Sequence, residues 1–374
     1  MRKKHIYVGM DVHKETNVIA LAHGGRGGKV ENFGTYAGSM DSMKIALTRL
    51  RRKKAQLHFV YESGPTGFVL QRRLLAWGED CIIVSASHVP KKAGDRVKTD
   101  RRDAIQLAKM HRSGDLDAIH VPDSADEAIR DLCRARFDAK QDERRSKQRL
   151  KSFLLRNGYN YQGNANWTPS HKSYIREKQM QHPAQKSALE SYMQSIDQCG
   201  DRIEDLETQL QILGLDWKLY PLVEALMVLK GVAWLTATNL VAELGDMRRF
   251  PKARNMMAYL GLTPSEHSTG TSIRKGAITK AGNSHARFFL VESAQHYFRR
   301  PNVSKALTER QIGADEKLKA LSWKAQNRLH KRYWTLASRT LTTQKIQIAI
   351  ARELVGFVWA IGQMDYLYED LEAA

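Results

Sequence analysis

The chain has 374 residues and a mass of 42.6 kDa, room for two or three domains at roughly 100–200 residues each. A hydrophobic content of 42% with 8% aromatic residues is enough to bury sizeable cores, which excludes a largely disordered chain. Sixty Lys and Arg against forty Asp and Glu leave a net charge of +20 and a pI near 9.8, an excess that points to a polyanionic partner, nucleic acid foremost. Cys81, Cys133 and Cys199 form no CxxC pair, so neither a zinc knuckle nor a disulfide framework is expected, and a reducing compartment is. The basic N-terminus MRKKHIYVGMDV reaches Asp11 without the apolar core of a signal peptide. The longest apolar run near the C-terminus, Leu354 to Ile361, is too short to span a bilayer. A cytoplasmic chain with no membrane partner is expected.

The first hundred residues alternate between strand and helix signals. Strands are predicted at His5 to Val12, Thr16 to Ala22 and Lys29 to Tyr36, with short Gly-containing links that favour antiparallel hairpins. A helix follows over Ser39 to Lys54, where Met43, Ala46, Leu47 and Leu50 recur with helical period. Leu57 to Tyr61 reads as a strand ending at Glu62, Pro65 to Trp77 as a helix, Cys81 to Ser85 as a strand and Arg101 to Arg112 as a helix.

Ser124-x-x-Glu127 reads as a capping box opening a long helix that extends to Asn157. Residues 158–182 are polar and aromatic-bearing and read as a loop or insertion. Pro183 to Leu213 is helical again. Its Leu189, Met193, Ile196, Ile203, Leu206, Leu210 and Leu213 fall at coiled-coil spacing, so the two long helices pair as an antiparallel hairpin or between subunits. A plain helical bundle accounts for the spacing almost as well. Residues 219–300 read as a compact, mostly helical domain. Within it, Leu226 to Leu240 gives helix, Gly-containing turn and helix, similar to a helix–hairpin–helix whose turn, with Lys230, contacts phosphate. A buried helical hairpin is the alternative. Residues 301–374 read as two helices, with a basic run at 314–340. The expected division is 1–120, 121–216, 217–300 and 301–374.

Asp11 stands inside an apolar strand, where a carboxylate is costly unless paired or metal-bound. Glu62 ends another strand. Asp100 and Asp103 lie three apart at a helix start, on one face. Each alone is more often a cap or a surface ion pair. Together, on this order of elements, they occupy the places where a ribonuclease H-like α/β fold gathers carboxylates. Four carboxylates need cations to offset their repulsion, and hard oxygen ligands suit Mg²⁺. Arg101 and Arg102, between the acids, either hold a phosphate or pair with surface acids. A second constellation spans Gly261 to Asn283, read as a loop. Ser265, Ser268, Thr269 and Ser272 are candidate hydroxyl nucleophiles there, and Arg274, Lys275 and Lys280 candidate phosphate ligands, with Arg287 just beyond. A basic DNA-touching loop without a covalent role is the plainer alternative.

Four stretches, GMDVHK, YESGPTG, VKTDRRDA and GLTPSEHSTG followed by RKGAITKAGNSHAR, resemble the transposases of the insertion-sequence one-ten family, relatives of the Piv DNA invertase. The resemblance covers about residues 5 to 300. It implies an N-terminal RuvC-like domain with Asp11, Glu62, Asp100 and Asp103 as its metal-binding DEDD set, a coiled-coil connector, and a C-terminal transposase domain with a serine nucleophile. That serine maps best to Ser268 in HSTG, with Ser265 as fallback. Many relatives read Ser-Ser-Gly there, and Thr269 replaces the second serine. The resemblance further implies a bacterial protein that acts on donor and target DNA through a phosphoserine link, guided by a structured noncoding bridge RNA, as a homodimer assembling to a tetramer. A metal-dependent junction resolvase, a site-specific invertase and a non-catalytic nucleic-acid-binding protein are the competing readings.

Overall fold

The computed structural model describes residues 4–86, 89, 99–266, 268–269, 272, 274–339 and 341–369. They divide into two units, one through Val121 and one from Pro122. The first unit is built on five strands: β1 (His5–Val12), β2 (Thr16–His23), β3 (Val30–Ala37), β4 (Gln56–Glu62) and β5 (Asp80–Val84). Their order is β3-β2-β1-β4-β5, with β1–β2 and β2–β3 antiparallel and β1–β4 and β4–β5 parallel. The antiparallel pairs follow short links. The parallel pairs need the crossover helices α1 (Met40–Arg51) and α2 (Val69–Ala76).

Period-two alternation sorts the strand residues to two faces. Ile6, Val8, Met10, Leu57, Phe59 and Tyr61 bury against Met43, Leu47 and Leu50 of α1 and Leu70 and Leu74 of α2. Opposite, Val18, Ala20 and Val60 meet helix α3 (Asp100–Ser113) through Ala104 and Leu107. The approach is closest at Gly9. A Cβ there would lie 2.2 Å from Ala104 O and 2.4 Å from Ala108 N. Strand backbone and helix backbone therefore touch with no side chain between them.

The second unit opens with two helices of 33 residues, α4 (Ser124–Arg156) and, after α5 (Pro169–Arg176), α6 (Pro183–Leu215). Arg136 pairs with Glu207, Ser146 Oγ lies 3.0 Å from Ser195 Oγ, and Gln185 donates to Asn157 at 2.7 Å. These contacts make α4 and α6 an antiparallel pair within one chain. The cap of α4 is Asp123, whose side chain accepts from Asp126 N, not Ser124. The proposed seam runs through Leu189, Ile203 and Leu210, but Leu213 is exposed and Gly214 takes the inward place. A straight helix at 3.6 residues per turn drifts off a 3.5-residue repeat, and the step from Leu210 is four, not three. Residues 158–182 are not all loop. Thr168 caps α5 by accepting from His171 N, and Ile175 buries with Leu150, Phe153, Leu154 and Leu189.

The remaining helices are α7 (Tyr220–Met227), α8 (Trp234–Leu244), α9 (Ala253–Tyr259), α10 (Ser284–Ala294), α11 (Lys305–Arg310), α12 (Glu316–Ala337) and α13 (Thr343–Ile361). Beyond residue 300 the described residues form three α-helices where two were expected, and one core from Leu222 to Tyr368 joins α12 and α13 to α7, α8, α9 and α10. Strands β6 (Pro264–Glu266) and β7 (Lys275–Ile278) form an antiparallel hairpin within the segment read as a loop. The run Leu354 to Ile361 lies in α13, with Leu354, Val355, Val358 and Ile361 in that core. Among the described residues no helix is long and apolar enough to cross a membrane.

The Gly9 contact yields a direct expectation. Gly9→Val forces α3 off the sheet and destabilises the first unit by about 3 kcal/mol or more. Urea unfolding of the variant measures the loss, and Gly38→Ala is no substitute, because its clash lies on the Lys14 carbonyl, away from α3.

Candidate active site

Asp11 and His13 leave the end of β1 two residues apart, the spacing that returns a side chain to one side of an extended chain. His13 Nε2 lies 3.2 Å from Asp11 Oδ1. The side toward which Asp11 projects alternates with the buried Val8 and Met10, so it is the α3 side, and α3 begins at Asp100. Thr99 caps that helix by accepting from Arg102 N, and the first-turn carboxylates of Asp100 and Asp103 complement the positive end of the helix dipole. One ligand atom each from Asp11, His13 and Asp100 lies within 4.8 Å of the others.

Burial raises the Asp11 carboxyl above its ordinary value, His13 opposes the rise, and the charges of Asp100 and then Asp103 add to it. Asp103 is thus close enough to act on Asp11, though it stands outside the three-residue set among the described residues. Glu62 is half-buried on β4. Met10 pairs with Tyr61, so Asp11 and Glu62 follow at one level of neighbouring parallel strands, while Glu62 also pairs with Val84. The structure thus clusters Asp11 with Asp100, sets Asp103 beside them, and places Glu62 on the adjoining strand end. His13 was not singled out from the sequence. Its signal was the two-residue offset from Asp11 inside GMDVHK.

Two carboxylates and an imidazole within 4.8 Å are a donor set for a divalent cation, and the mutual repulsion expressed at Asp11 is what such a cation would relieve. Arg101 and Arg102 are exposed on the first turn of α3, beside this set.

The serine segment lies in the second unit. Pro264 pairs with Ile278 and Glu266 with Lys275, and an isolated bridge joins Thr269 to Ser272. Ser268 Oγ donates to Glu266 Oε1 at 2.8 Å and accepts from Arg274 N at 3.3 Å. Both Ser268 and Glu266 are exposed. Ser265 is half-buried, its Oγ 2.4 Å from where a Cβ on Gly276 would lie. Glu266 is a second residue the sequence reading passed over, although it sits two before Ser268. Arg274, Lys275 and Lys280 are exposed just before, on and just after β7. Arg287 is otherwise engaged. Its Nη1 donates to Leu260 O at 2.8 Å and Ala281 O at 3.1 Å, and burial lowers its pKa. Lys230 is remote from the hairpin in sequence and donates to Arg300 O and Asn302 Oδ1.

A buried lock fixes the foot of this hairpin. Glu243 of α8, whose side chain is 2% exposed, accepts from Arg134 of α4 through both oxygens at 2.8 and 2.9 Å. Asn283 donates to Glu243 Oε2 at 2.6 Å and caps α10 by accepting from Ala286 N. Burial works against the Glu243 charge, but the hydrogen bonds from Arg134 and Asn283 and the Arg134 charge outweigh it and hold the pKa below the ordinary value.

Comparison with known proteins places this chain in a class. Residues 8–157 match the DEDD transposase profile of the IS110 type, and residues 223–309 match the profile described as the transposase IS116/IS110/IS902 family. The chain is 39% identical over 360 residues to y4qE of Sinorhizobium fredii, a protein named as a transposase, covering 96% of this chain and 89% of that one. It is 29% identical over 345 residues to the transposase for insertion sequence element IS1533 of Leptospira borgpetersenii, covering 89% and 97%. The chain is of the transposase class, enzymes that cut and rejoin DNA. The chain belongs to the IS110 family.

Two measurements test the geometry. Asp11→Asn removes the buried, mutually repelling charge, so the metal-free variant melts higher than the native chain at pH 7. Because the folded pKa of Asp11 is raised, its ionisation weakens the fold as pH rises, and the advantage of the variant shrinks toward pH 4. Added Mg²⁺ or Mn²⁺ raises the melting temperature of the native chain and leaves Asp11→Asn unmoved. Glu243→Ala leaves Arg134 and Asn283 without their acceptor and costs about 2–3 kcal/mol, the low end for a broken buried pair because Arg134 keeps 41% exposure. That contribution exists above the unfolded carboxylate value of 4.5 and is lost as pH falls through the lower folded one, so native and Glu243→Ala chains converge in stability in acid.

Proposed function

We propose that this transposase, with an N-terminal unit of ribonuclease H-like (RuvC-like) architecture, breaks and rejoins DNA strands through a phosphoserine formed on Ser268. The observation that carries the reading is the exposed Ser268 hydroxyl, donating to a carboxylate on a hairpin whose exposed cations form no ion pair among the described residues. Ser268 Oγ attacks a DNA phosphorus, an Oγ–P bond forms and the bond from phosphorus to the 3′ oxygen breaks. The hydroxyl proton passes to Glu266 Oε1, and the departing oxygen takes up a proton from solvent water to leave a 3′-hydroxyl. Strand joining is the same step reversed, with Glu266 returning the proton to Oγ. The covalent link conserves the phosphodiester bond energy between the two.

Asp11, Glu62, Asp100 and Asp103 are the residues that would hold Mg²⁺, with His13 at their edge. The ion supplies charge neutralisation at the phosphoryl oxygens. Arg274, Lys275 and Lys280 bind the backbone phosphates that flank Ser268. Thr269, beside Ser268, is fixed by its bridge to Ser272 and serves as framework. Exchange between donor and target duplexes requires more than one such chain, which supports a homodimer that assembles to a tetramer. The net charge of +20 supports a structured noncoding RNA as guide, held through its phosphates.

A denaturing gel tests this. Protein, Mg²⁺, the flanking noncoding RNA and end-labelled junction DNA are expected to give a protease-sensitive shifted band that is absent with Ser268→Ala and with Asp100→Ala. Glu266→Gln keeps an acceptor for the hydroxyl but not a base, and slows adduct formation by roughly 10²–10⁴-fold. Cleavage that survives Ser268→Ala with no adduct would make the chain a nuclease that activates water.

A further inference from the structure

Two features of the second unit lie side by side and have no part in the chemistry above. The first is a cavity of about 550 Å³ lined by Lys230, His296, Arg299, Arg300, Asn302 and Arg310. Lys230 leaves the turn between α7 and α8, where Gly231 holds φ at +82°, and its Nζ reaches Arg300 O at 3.0 Å and Asn302 Oδ1 at 3.1 Å. Arg310 donates to Val232 O of the same turn. Among the described residues, no carboxylate forms an ion pair with Lys230, Arg299, Arg300 or Arg310. Burial, then the repulsion of neighbouring cations, lowers the pKa of both Lys230 and His296, with Glu292 the one acid that opposes it at His296. Four cations with no acid partner among the described residues surround one recess; Lys230 and Arg310 are held there by main-chain oxygens, and Arg299 and Arg300 are its open anion ligands.

The second feature is aromatic. Phe298, Trp323 and Trp334 are 43%, 48% and 53% exposed. Trp334 Nε1 donates to Phe298 O at 3.0 Å, and the Arg299 guanidinium lies 5.4 Å from the Phe298 ring. Asn302 N donates to Gln326 Oε1 of α12 at 3.1 Å. Residues 298–302 therefore run without a break from the exposed rings into the cavity. Along α12, Trp323, Asn327, Lys331 and Trp334 share one exposed face about 16 Å long at 1.5 Å per residue. Glu353 engages Arg328 and Arg332, but among the described residues no carboxylate pairs with Lys324 or Lys331.

A duplex offers phosphates and hides its base faces, which would leave these rings in water. An unpaired strand offers both. We propose that this face binds an unpaired stretch of nucleic acid, with a backbone phosphate seated among Lys230, Arg299, Arg300 and Arg310 and bases stacked on Phe298, Trp334 and, further along, Trp323. Helix α12 lies outside the segments that match the transposase family, residues 8–157 and 223–309. The inference deepens the transposase reading and rests on it only for the presence of nucleic acid.

Fluorescence anisotropy on the metal-free full chain tests it. The probes are a single-stranded DNA of about 20 nucleotides, longer than the ~4–16-nucleotide footprints of single-strand binders, the RNA of the same sequence, and the matching duplex. Trp334→Ala and Trp323→Ala are each expected to weaken single-strand binding roughly 10-fold and to leave duplex binding unchanged, and Trp334→Phe to restore most of the loss. Arg299→Ala and Arg300→Ala each lower the salt slope by about one. Tighter binding of the RNA or of the DNA assigns the source of the strand. Unchanged single-strand affinity in both tryptophan variants overturns the proposal, as does an equal loss on duplex and single strand. A changed sedimentation coefficient in those variants with single-strand affinity intact would assign the face to a second copy of the chain instead. No strand is cut in this assay, so failure of the phosphoserine reading leaves it untouched, and its own failure leaves that reading standing.

Discussion

The first unit depends on a contact that has no side chain in it. At Gly9 the backbone of β1 meets the backbone of α3 at Ala104 and Ala108, and any Cβ would hold them apart. That closeness has an electrostatic consequence. It brings the first turn of α3, with Asp100 and Asp103, to the end of the strand that carries Asp11, where burial and the other carboxylates raise the Asp11 pKa. Packing of three small residues thus concentrates negative charge that the fold itself does not neutralise. The unit stores repulsion where a cation would release it, and a small-residue packing rule and a metal site become one design.

The second unit handles charge in the opposite way. Glu243 is among the most buried carboxylates of the described residues and is matched by both nitrogens of an Arg134 fork and by Asn283. Here the hydrogen bonds outweigh burial and the carboxylate stays ionised. The same three residues join α4, α8 and the cap of α10, so the strands on either side of Ser268 return to a fixed foot. The hairpin tip is exposed and polar, and its position derives from a buried ion pair that itself carries no chemistry. Clustered like charge marks one site, and paired charge supports the other.

Much of this was legible in the sequence where local physics decides. The alternation of Ile6, Val8 and Met10 and the helical period of Met43, Leu47 and Leu50 survive in the fold, because each reflects burial on one face of one element. What the sequence left hidden depends on competition between neighbours or on distance. Asp123 and Ser124 are both good caps, and only the backbone shows that Asp123 takes the role. Leu213 fits a heptad but not a straight helix. The helix α5 is short, and the packing of its Ile175 comes from Leu150, 25 residues before it, and Leu189, 14 after. His13 and Glu266 escaped notice for another reason: a histidine or glutamate two residues from a reactive group is ordinary in a basic polar loop, and only the 3.2 and 2.8 Å contacts single them out.

Net charge, finally, names a partner class but locates nothing, because many cations are part of the fold. Arg112 donates to His23 O and Gly28 O, Arg136 pairs with Glu207, Arg249 donates to Leu244 O, and Arg287 braces the serine hairpin. Each looks, in the sequence, like any other basic residue, and Arg287 was counted there as a phosphate ligand. Once their acceptors are assigned, such residues drop out of the surface field. Among the described residues, the cations without such partners gather at Arg274, Lys275 and Lys280 beside Ser268, and at Arg299 and Arg300. An excess of twenty positive charges becomes informative only after that subtraction, since a cation whose donors already meet carbonyls has little to offer a phosphate.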